Sequence, residues 1–167
     1  MYSDKSNLIL IGMPGCGKST IGKRAARIMK MDFIDVDKLI EEKEGMTISD
    51  IFLRGEDYFR EVETSVISDL SLVKNSVIST GGGVIKRDVN MKILKGIGMI
   101  VFVNRSVEDI LTDIDTESRP LLNNRLEALL RLYNERIVLY KRYSDIELMN
   151  NKSFDEVLSQ VISSYKG

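Results

Sequence analysis

The sequence predicts an α/β domain built on a mostly parallel sheet. Two observations carry that prediction. Short apolar runs of strand length alternate with longer amphipathic segments along the chain, the pattern of strands joined by helical crossovers. The first run, "NLILIG" (7–12), leads directly into "GMPGCGKST" (12–20), a glycine-rich turn that opens a helix-patterned segment.

Residues 7–12 are continuously apolar, which suits a strand covered on both faces. From Lys18 to about Lys30, Ile21, Ala25, Ile28 and Met29 recur at helical spacing. "DFIDVD" (32–37) reads as a second strand, and "DKLIEEKEG" as a helix stopped at Gly45. Thr47 and Asp50 have the spacing of a capping box, and 56–70 is an amphipathic helix. "SVIST" (76–80) is a third strand, broken by the glycines at 81–83. A helix over 87–95 precedes a fourth strand, "GMIVFVN" (98–104), and Ser106 caps a short helix to about 112. "DIDTESRPLLNN" (113–124) is polar, contains Pro120, and reads as a loop before a long helix over 125–143. "SDIELM" (144–149) is a last short strand, and Ser153 with Glu156 forms a capping box for a final helix. Without repeats or linker composition, residues 1–167 read as one domain.

Composition excludes several function classes. The net charge is -1, so no basic footprint for nucleic acid exists. Cys16 is the sole cysteine, which rules out an intramolecular disulfide and fits a reducing cytosol. With no histidine and one cysteine, the composition argues against a zinc site of the usual kind, and imidazole catalysis is excluded. Acid–base work then falls to carboxylates or lysine. The N-terminal stretch carries Asp4 and no long apolar core, so no signal peptide is read. No run approaches the ~20 apolar residues of a membrane span. The expectation is a cytoplasmic monomer with no nucleic-acid or membrane partner.

Gly12, Gly17, Lys18 and Ser19 satisfy G-x-x-x-x-G-K-S/T, with a strand before and a helix after. Glycines let backbone N–H groups wrap a phosphate, and the helix N-terminus offers its positive end to the same anion. Lys18 would reach the β- and γ-phosphates and Ser19 would ligate Mg²⁺. The candidate contacts for a purine nucleoside triphosphate are Gly12, Gly15, Cys16, Gly17, Lys18, Ser19 and Thr20. Cys16 inside the loop is read as a small residue that fits.

Asp35 and Asp37 lie two apart, so a strand would present both to one face. One can hold Mg²⁺ beside Ser19, and the other can take a proton from a substrate hydroxyl. The third strand lacks the usual metal-binding aspartate, which makes Asp35 the metal candidate. Arg60 and Glu63 are neighbours on one helix face. They are either a surface ion pair or an arginine oriented by Glu63 to grip an anion. Gly81, Gly82 and Gly83 follow a strand directly and leave bare backbone on which a small ligand can lie. Arg119, in "SRPLL", could close over the phosphates as an arginine finger. Arg131, Arg136 and Arg142 share one helix, and the residues alone do not choose among them.

The segments "GMPGCGKST", "FIDVDKLIE", "GMTISDIFLRGEDYFREVE", "STGGGVI", "SRPLL" and "NERIVLYKRYSDI" occur in the order and spacing of shikimate kinases. The chain resembles that family from about 7 to 163. The resemblance implies a three-layer αβα P-loop kinase with a five-stranded parallel sheet, a helical substrate-binding region (37–65) and a mobile lid (112–124). It implies phosphorylation of the 3-hydroxyl of shikimate, with ATP and Mg²⁺. It makes Asp37 the base that binds the shikimate hydroxyls, and Asp35 the second metal group. Arg60 and Arg136 become the clamp on the shikimate carboxylate, with Glu63 positioning Arg60. The triple glycine becomes the floor under the ring, and Arg119 the lid arginine.

Two departures stand out. The family often has an arginine near position 112 that packs on adenine, where this chain has Thr112 among acidic residues. "KRYSDIE" also departs from the usual pattern. A gluconate or nucleoside-monophosphate kinase on the same scaffold is disfavoured by Arg60, Glu63 and the glycines together. A catalytically dead nucleotide-binding protein would have lost Lys18, Asp37 or the arginines. A GTPase switch would need N-K-x-D and D-x-x-G, and neither occurs where it should.

Overall fold

The computed structural model describes residues 6–113 and 119–166, leaving out the side chains of 119–123. Five parallel strands form one sheet in the order β2-β3-β1-β4-β5. They are β1 (Asn7–Ile11), β2 (Asp32–Asp35), β3 (Ser76–Ser79), β4 (Gly98–Asn104) and β5 (Ile146–Met149). Every residue of the central strand β1 is buried, because β1 is paired on both edges and helices cover its faces. That is why its sequence is apolar without alternation. Asn7 opens the strand and is itself fully buried. Its Nδ2 donates to the carbonyls of Val73 and Ile97 at 2.7 and 2.9 Å, and its Oδ1 accepts from the Ser76 amide at 3.0 Å. One side chain thus fastens the amino-terminal ends of β1, β3 and β4.

Eight helices are described: α1 (Lys18–Met29), α2 (Val36–Glu44), α3 (Ile48–Leu53), α4 (Glu56–Asp69), α5 (Asp88–Ile97), α6 (Val107–Thr112), α7 (Arg119–Tyr143) and α8 (Phe154–Lys166). The expected caps form. Thr47 accepts from the Asp50 amide, Ser106 from Asp109, and Ser153 from Glu156, at 3.1–3.3 Å. Glu156 returns the bond to the Ser153 amide at 3.1 Å. Caps of this kind contribute ~1 kcal/mol each. Among the described residues, no helix is long and apolar enough to cross a membrane.

Several boundaries shift by one or two residues, and two larger differences bear on the site. The second strand ends at Asp35 rather than at 37, because Asp35 turns the chain into α2. Its Oδ1 accepts from the amides of Asp37 and Lys38 at 3.1 and 3.4 Å, an N-cap bond. The long helix starts at Arg119 instead of 125, so Pro120 lies in its first turn. There a missing N–H costs nothing and the fixed φ suits a helix. Residues 114–118 of the expected lid lie outside the described residues.

Successive connections run to opposite sides of β1. The chain passes from β1 to β2 on one side, and from β3 to β4 across it. The crevice beyond the carboxyl end of β1 is where ligands bind in such sheets, and Gly12 follows there. Gly12 has φ +150°, and an added Cβ would lie 2.5 Å from the Val103 carbonyl oxygen and 2.8 Å from Cys16 Sγ. Gly12→Ala should therefore cost ~1–3 kcal/mol in strain and clash. Thermal unfolding should show a midpoint several degrees lower. An unchanged midpoint would mean the loop yields freely.

Candidate active site

The glycine-rich loop joins β1 to α1. Gly15 and Gly17 adopt φ +77° and +100°, the left-handed region that glycine enters without strain. Gly17 caps α1 with its backbone only, so the helix N-terminus stays open to an anion. Lys18 is buried at the start of α1, with Nζ 2.8 and 2.9 Å from the carbonyls of Gly12 and Met13 and 3.6 Å from Cys16 Sγ. Cys16 is fully buried. A cavity of about 470 Å³ is lined by Gly15, Gly17, Lys18, Ser19, Thr20 and Asp37, among others.

Ser19 Oγ donates to Asp35 Oδ2 at 3.0 Å and lies 3.2 Å from Ser79 Oγ. Asp35 therefore does two things at once: one oxygen caps α2 and the other faces the loop. Asp37 does not share a strand face with Asp35, as its spacing suggested. It sits in the first turn of α2, and the turn at the buried Val36 brings its carboxylate into the cavity. Burial raises its pKa, and the Asp35 charge adds to the rise, while Lys18 and Arg60 oppose it.

Next to this space is a second cavity of about 190 Å³, below the ~300 Å³ at which pockets for drug-sized ligands begin. Asp37, Arg60, Glu63, Arg136 and the three glycines line it, with Pro14 as a shared wall. Of the three candidate arginines on α7, only Arg136 faces this cavity, while Arg131 and Arg142 are exposed.

Arg60 is no surface ion pair. It is buried and its Nη1 donates to the fully buried Glu63 at 2.9 Å. Its Nε and Nη2 both donate to Glu56 at 3.3 Å, and Lys86 holds Glu56 from the other side. Three of the five guanidinium N–H bonds are used in this way. One N–H remains on each Nη, enough for the two oxygens of a carboxylate. The guanidinium also lies 4.9 Å from the centroid of Phe59, which stacks on Phe52.

The glycines are required by contact. A Cβ on Gly81 would lie 2.8 Å from Asp37 Oδ1 and 3.4 Å from Glu63 Oε2. On Gly82 it would meet Pro14 Cδ at 2.6 Å, and on Gly83 the Arg60 Nη2 at 2.2 Å. Two carboxylate oxygens thus converge over Gly81. Glu63 Oε2 is buried and has no hydrogen-bond partner among the described residues. Its burial raises the Glu63 pKa even though Arg60 pulls it down.

Sequence reasoning missed Tyr140 and Asn150. Tyr140 Oη donates to the Gly82 carbonyl at 2.5 Å, its ring stacks on Phe102, and burial pushes its pKa up to about 12. It looks like core packing in the sequence, and only its hydroxyl betrays the second role. Asn150 Nδ2 donates to the Cys16 carbonyl at 2.8 Å from 134 positions away, a separation no local pattern reveals. The side chain of Arg119 lies outside the described residues.

The family model for shikimate kinase matches residues 14–166. The chain is 46% identical over 157 residues to the shikimate kinase of Clostridium botulinum (strain Eklund 17B / Type B), covering 94% of this chain and 95% of the relative. It is 40% identical over 157 residues to that of Clostridium beijerinckii, covering 94% and 93%. Among solved structures, the shikimate kinase from Acinetobacter baumannii in complex with shikimate superposes with a TM-score of 0.84 at 32% identity, covering 98% of this chain and 96% of that one.

Proposed function

The chain belongs to the shikimate kinase family, and from that premise we infer that it transfers the γ-phosphoryl of ATP to the 3-hydroxyl of shikimate. One observation carries the assignment of roles. Asp37 Oδ1 and the unpartnered Glu63 Oε2 converge over Gly81, in a small cavity that also holds Arg60 and Arg136 and abuts the glycine-rich loop. A ring bearing one carboxylate and several hydroxyls matches that donor set.

In this reading Arg60 presents its two remaining N–H bonds to the shikimate carboxylate and Arg136 takes its other side. Glu56 and Glu63 hold the Arg60 plane. Gly81, Gly82 and Gly83 let the ring lie on the backbone. The 3-hydroxyl gives its proton to Asp37 as its oxygen attacks the γ-phosphorus, and ADP leaves on the opposite side. The loop from Gly12 to Thr20 binds the triphosphate through its amides, with Lys18 on the β- and γ-phosphates. Arg119 serves as the lid arginine within 112–124. Ser19 and Asp35 suit Mg²⁺, being hard oxygen donors 3.0 Å apart. The ion supplies charge neutralisation on the phosphates. Catalysis is thus mainly positioning and electrostatics. The protein is proposed to act as a cytoplasmic monomer.

The test is a coupled assay of ADP release from ATP·Mg²⁺, with shikimate as acceptor and gluconate and AMP as controls. Turnover that requires shikimate and fails with both controls is expected. Turnover with gluconate or AMP instead would overturn the reading.

A further inference from the structure

The phosphate cavity adjoins a further space of about 420 Å³, and the two share Gly17, Thr20, Arg105 and Asp113. With the acceptor in the smaller cavity, a triphosphate seated on the loop would leave its nucleoside in this other adjoining space. Thr112 brings no cation to that wall. Its hydroxyl is committed to the Asp109 carbonyl at 2.7 Å, at the end of α6. Two cations line it, Lys152 and Arg105, and of the two only Arg105, the residue after β4, also lines the phosphate cavity. Its side chain is 18% exposed. Nη1 donates to the Gly15 carbonyl at 3.2 Å and to Asp113 Oδ2. Both bonds use the same nitrogen, so they fix the guanidinium plane while Nε and Nη2 make no bond among the described residues.

A guanidinium is flat, delocalised and weakly hydrated, and it packs on aromatic faces in a way an ammonium does not. A plane held at the junction of the phosphate and nucleoside spaces is suited to the face of a base. We propose that Arg105 is a nucleotide-binding residue whose guanidinium stacks on the purine of ATP, with Asp113 setting its plane. The proposal rests on the reading that this cleft binds ATP.

The experiment compares Arg105→Gln, Arg105→Lys and Asp113→Asn with the unaltered enzyme. ATP and inorganic tripolyphosphate, each with Mg²⁺, are titrated, and shikimate kinetics are measured in parallel. Loss of a cation–π contact should raise the KM for ATP roughly tenfold in both Arg105 variants. Asp113→Asn should raise it by a smaller factor. Tripolyphosphate has no base, so its affinity should hold in all three variants, as should the KM for shikimate. Equal weakening of ATP and tripolyphosphate would show that Arg105 braces the loop through Gly15 or touches phosphate, and would overturn the proposal. Full rescue by lysine would overturn it too, since charge without a plane would then suffice. So would an unchanged KM for ATP. Failure of the unaltered enzyme to turn over ATP with shikimate would instead remove the underlying reading. If Arg105→Gln fails to fold, Arg105→Lys decides alone.

Discussion

Asp37→Asn should lower kcat by ~10²–10⁴, the usual contribution of a positioned general base, and leave ATP binding intact. The amide keeps the shape and the contact with Gly81 but cannot take the hydroxyl proton. The unaltered enzyme should also lose activity as pH falls. Burial, and then the Asp35 charge, raise the Asp37 pKa above its ordinary value. Protonation therefore begins at a higher pH than for a free aspartate, and kcat/KM should decline through that raised pKa. Stability runs the other way. A carboxyl whose folded pKa exceeds its unfolded pKa binds more protons when folded, so it costs stability as pH rises through the folded value. At neutral pH, Asp37→Asn should thus raise the thermal midpoint while lowering kcat. pH–rate profiles and thermal melts check both. Activity retained in the variant would mean that another group takes the proton.

Arg60→Ala should raise the KM for shikimate and cut kcat/KM by ~10²–10⁴, while the KM for ATP stays within a small factor. Two charge-assisted hydrogen bonds, each worth ~1.5–3 kcal/mol, are lost from the carboxylate. The change also leaves Glu63 buried without its cation, which ordinarily costs several kcal/mol. Glu63 can soften this by taking up a proton, since burial already raises its pKa. Arg60→Lys should recover only part of the loss, because three ammonium N–H bonds replace five, and the planar pair left for a carboxylate is gone. Steady-state titration of both substrates distinguishes the outcomes. An unchanged KM for shikimate would remove Arg60 from the clamp.

Most of the sheet was legible because buried parallel strands have no polar face. β1 and β4 read directly as apolar runs, and the caps at Thr47, Ser106 and Ser153 follow from hydroxyl spacing. The turn at Asp35 was misread for a specific reason. In "FIDVD" the same residues satisfy strand alternation and an N-cap, and the side-chain bond to the Asp37 amide decides between them. The helix start at Arg119 was missed because Pro120 signals a break in most contexts, but not in a first turn. At the site, the loop, Asp37, Arg60 and the glycines could be nominated by residue type. That the Arg60–Glu63 pair is buried could not, since helical spacing is the same for exposed and buried pairs. Tyr140, Asn150 and Arg105 act across long separations in sequence, which no local pattern records.

Pro14 and Gly82 touch where the two ligand spaces meet, and Pro14, Asp37, Gly81 and Gly82 line both. Four residues are thus common to the two linings, so the spaces adjoin. For inhibitor design this favours a bisubstrate compound: a polyhydroxylated carboxylic acid tethered to an anionic nucleotide mimic by a short linker. Such a molecule would confine each half near its own chamber at an effective concentration that can reach ~mM for short tethers. Added bulk at the tether would press on the residues common to both spaces, Pro14, Asp37, Gly81 and Gly82, so slim, flat linkers should outperform branched ones.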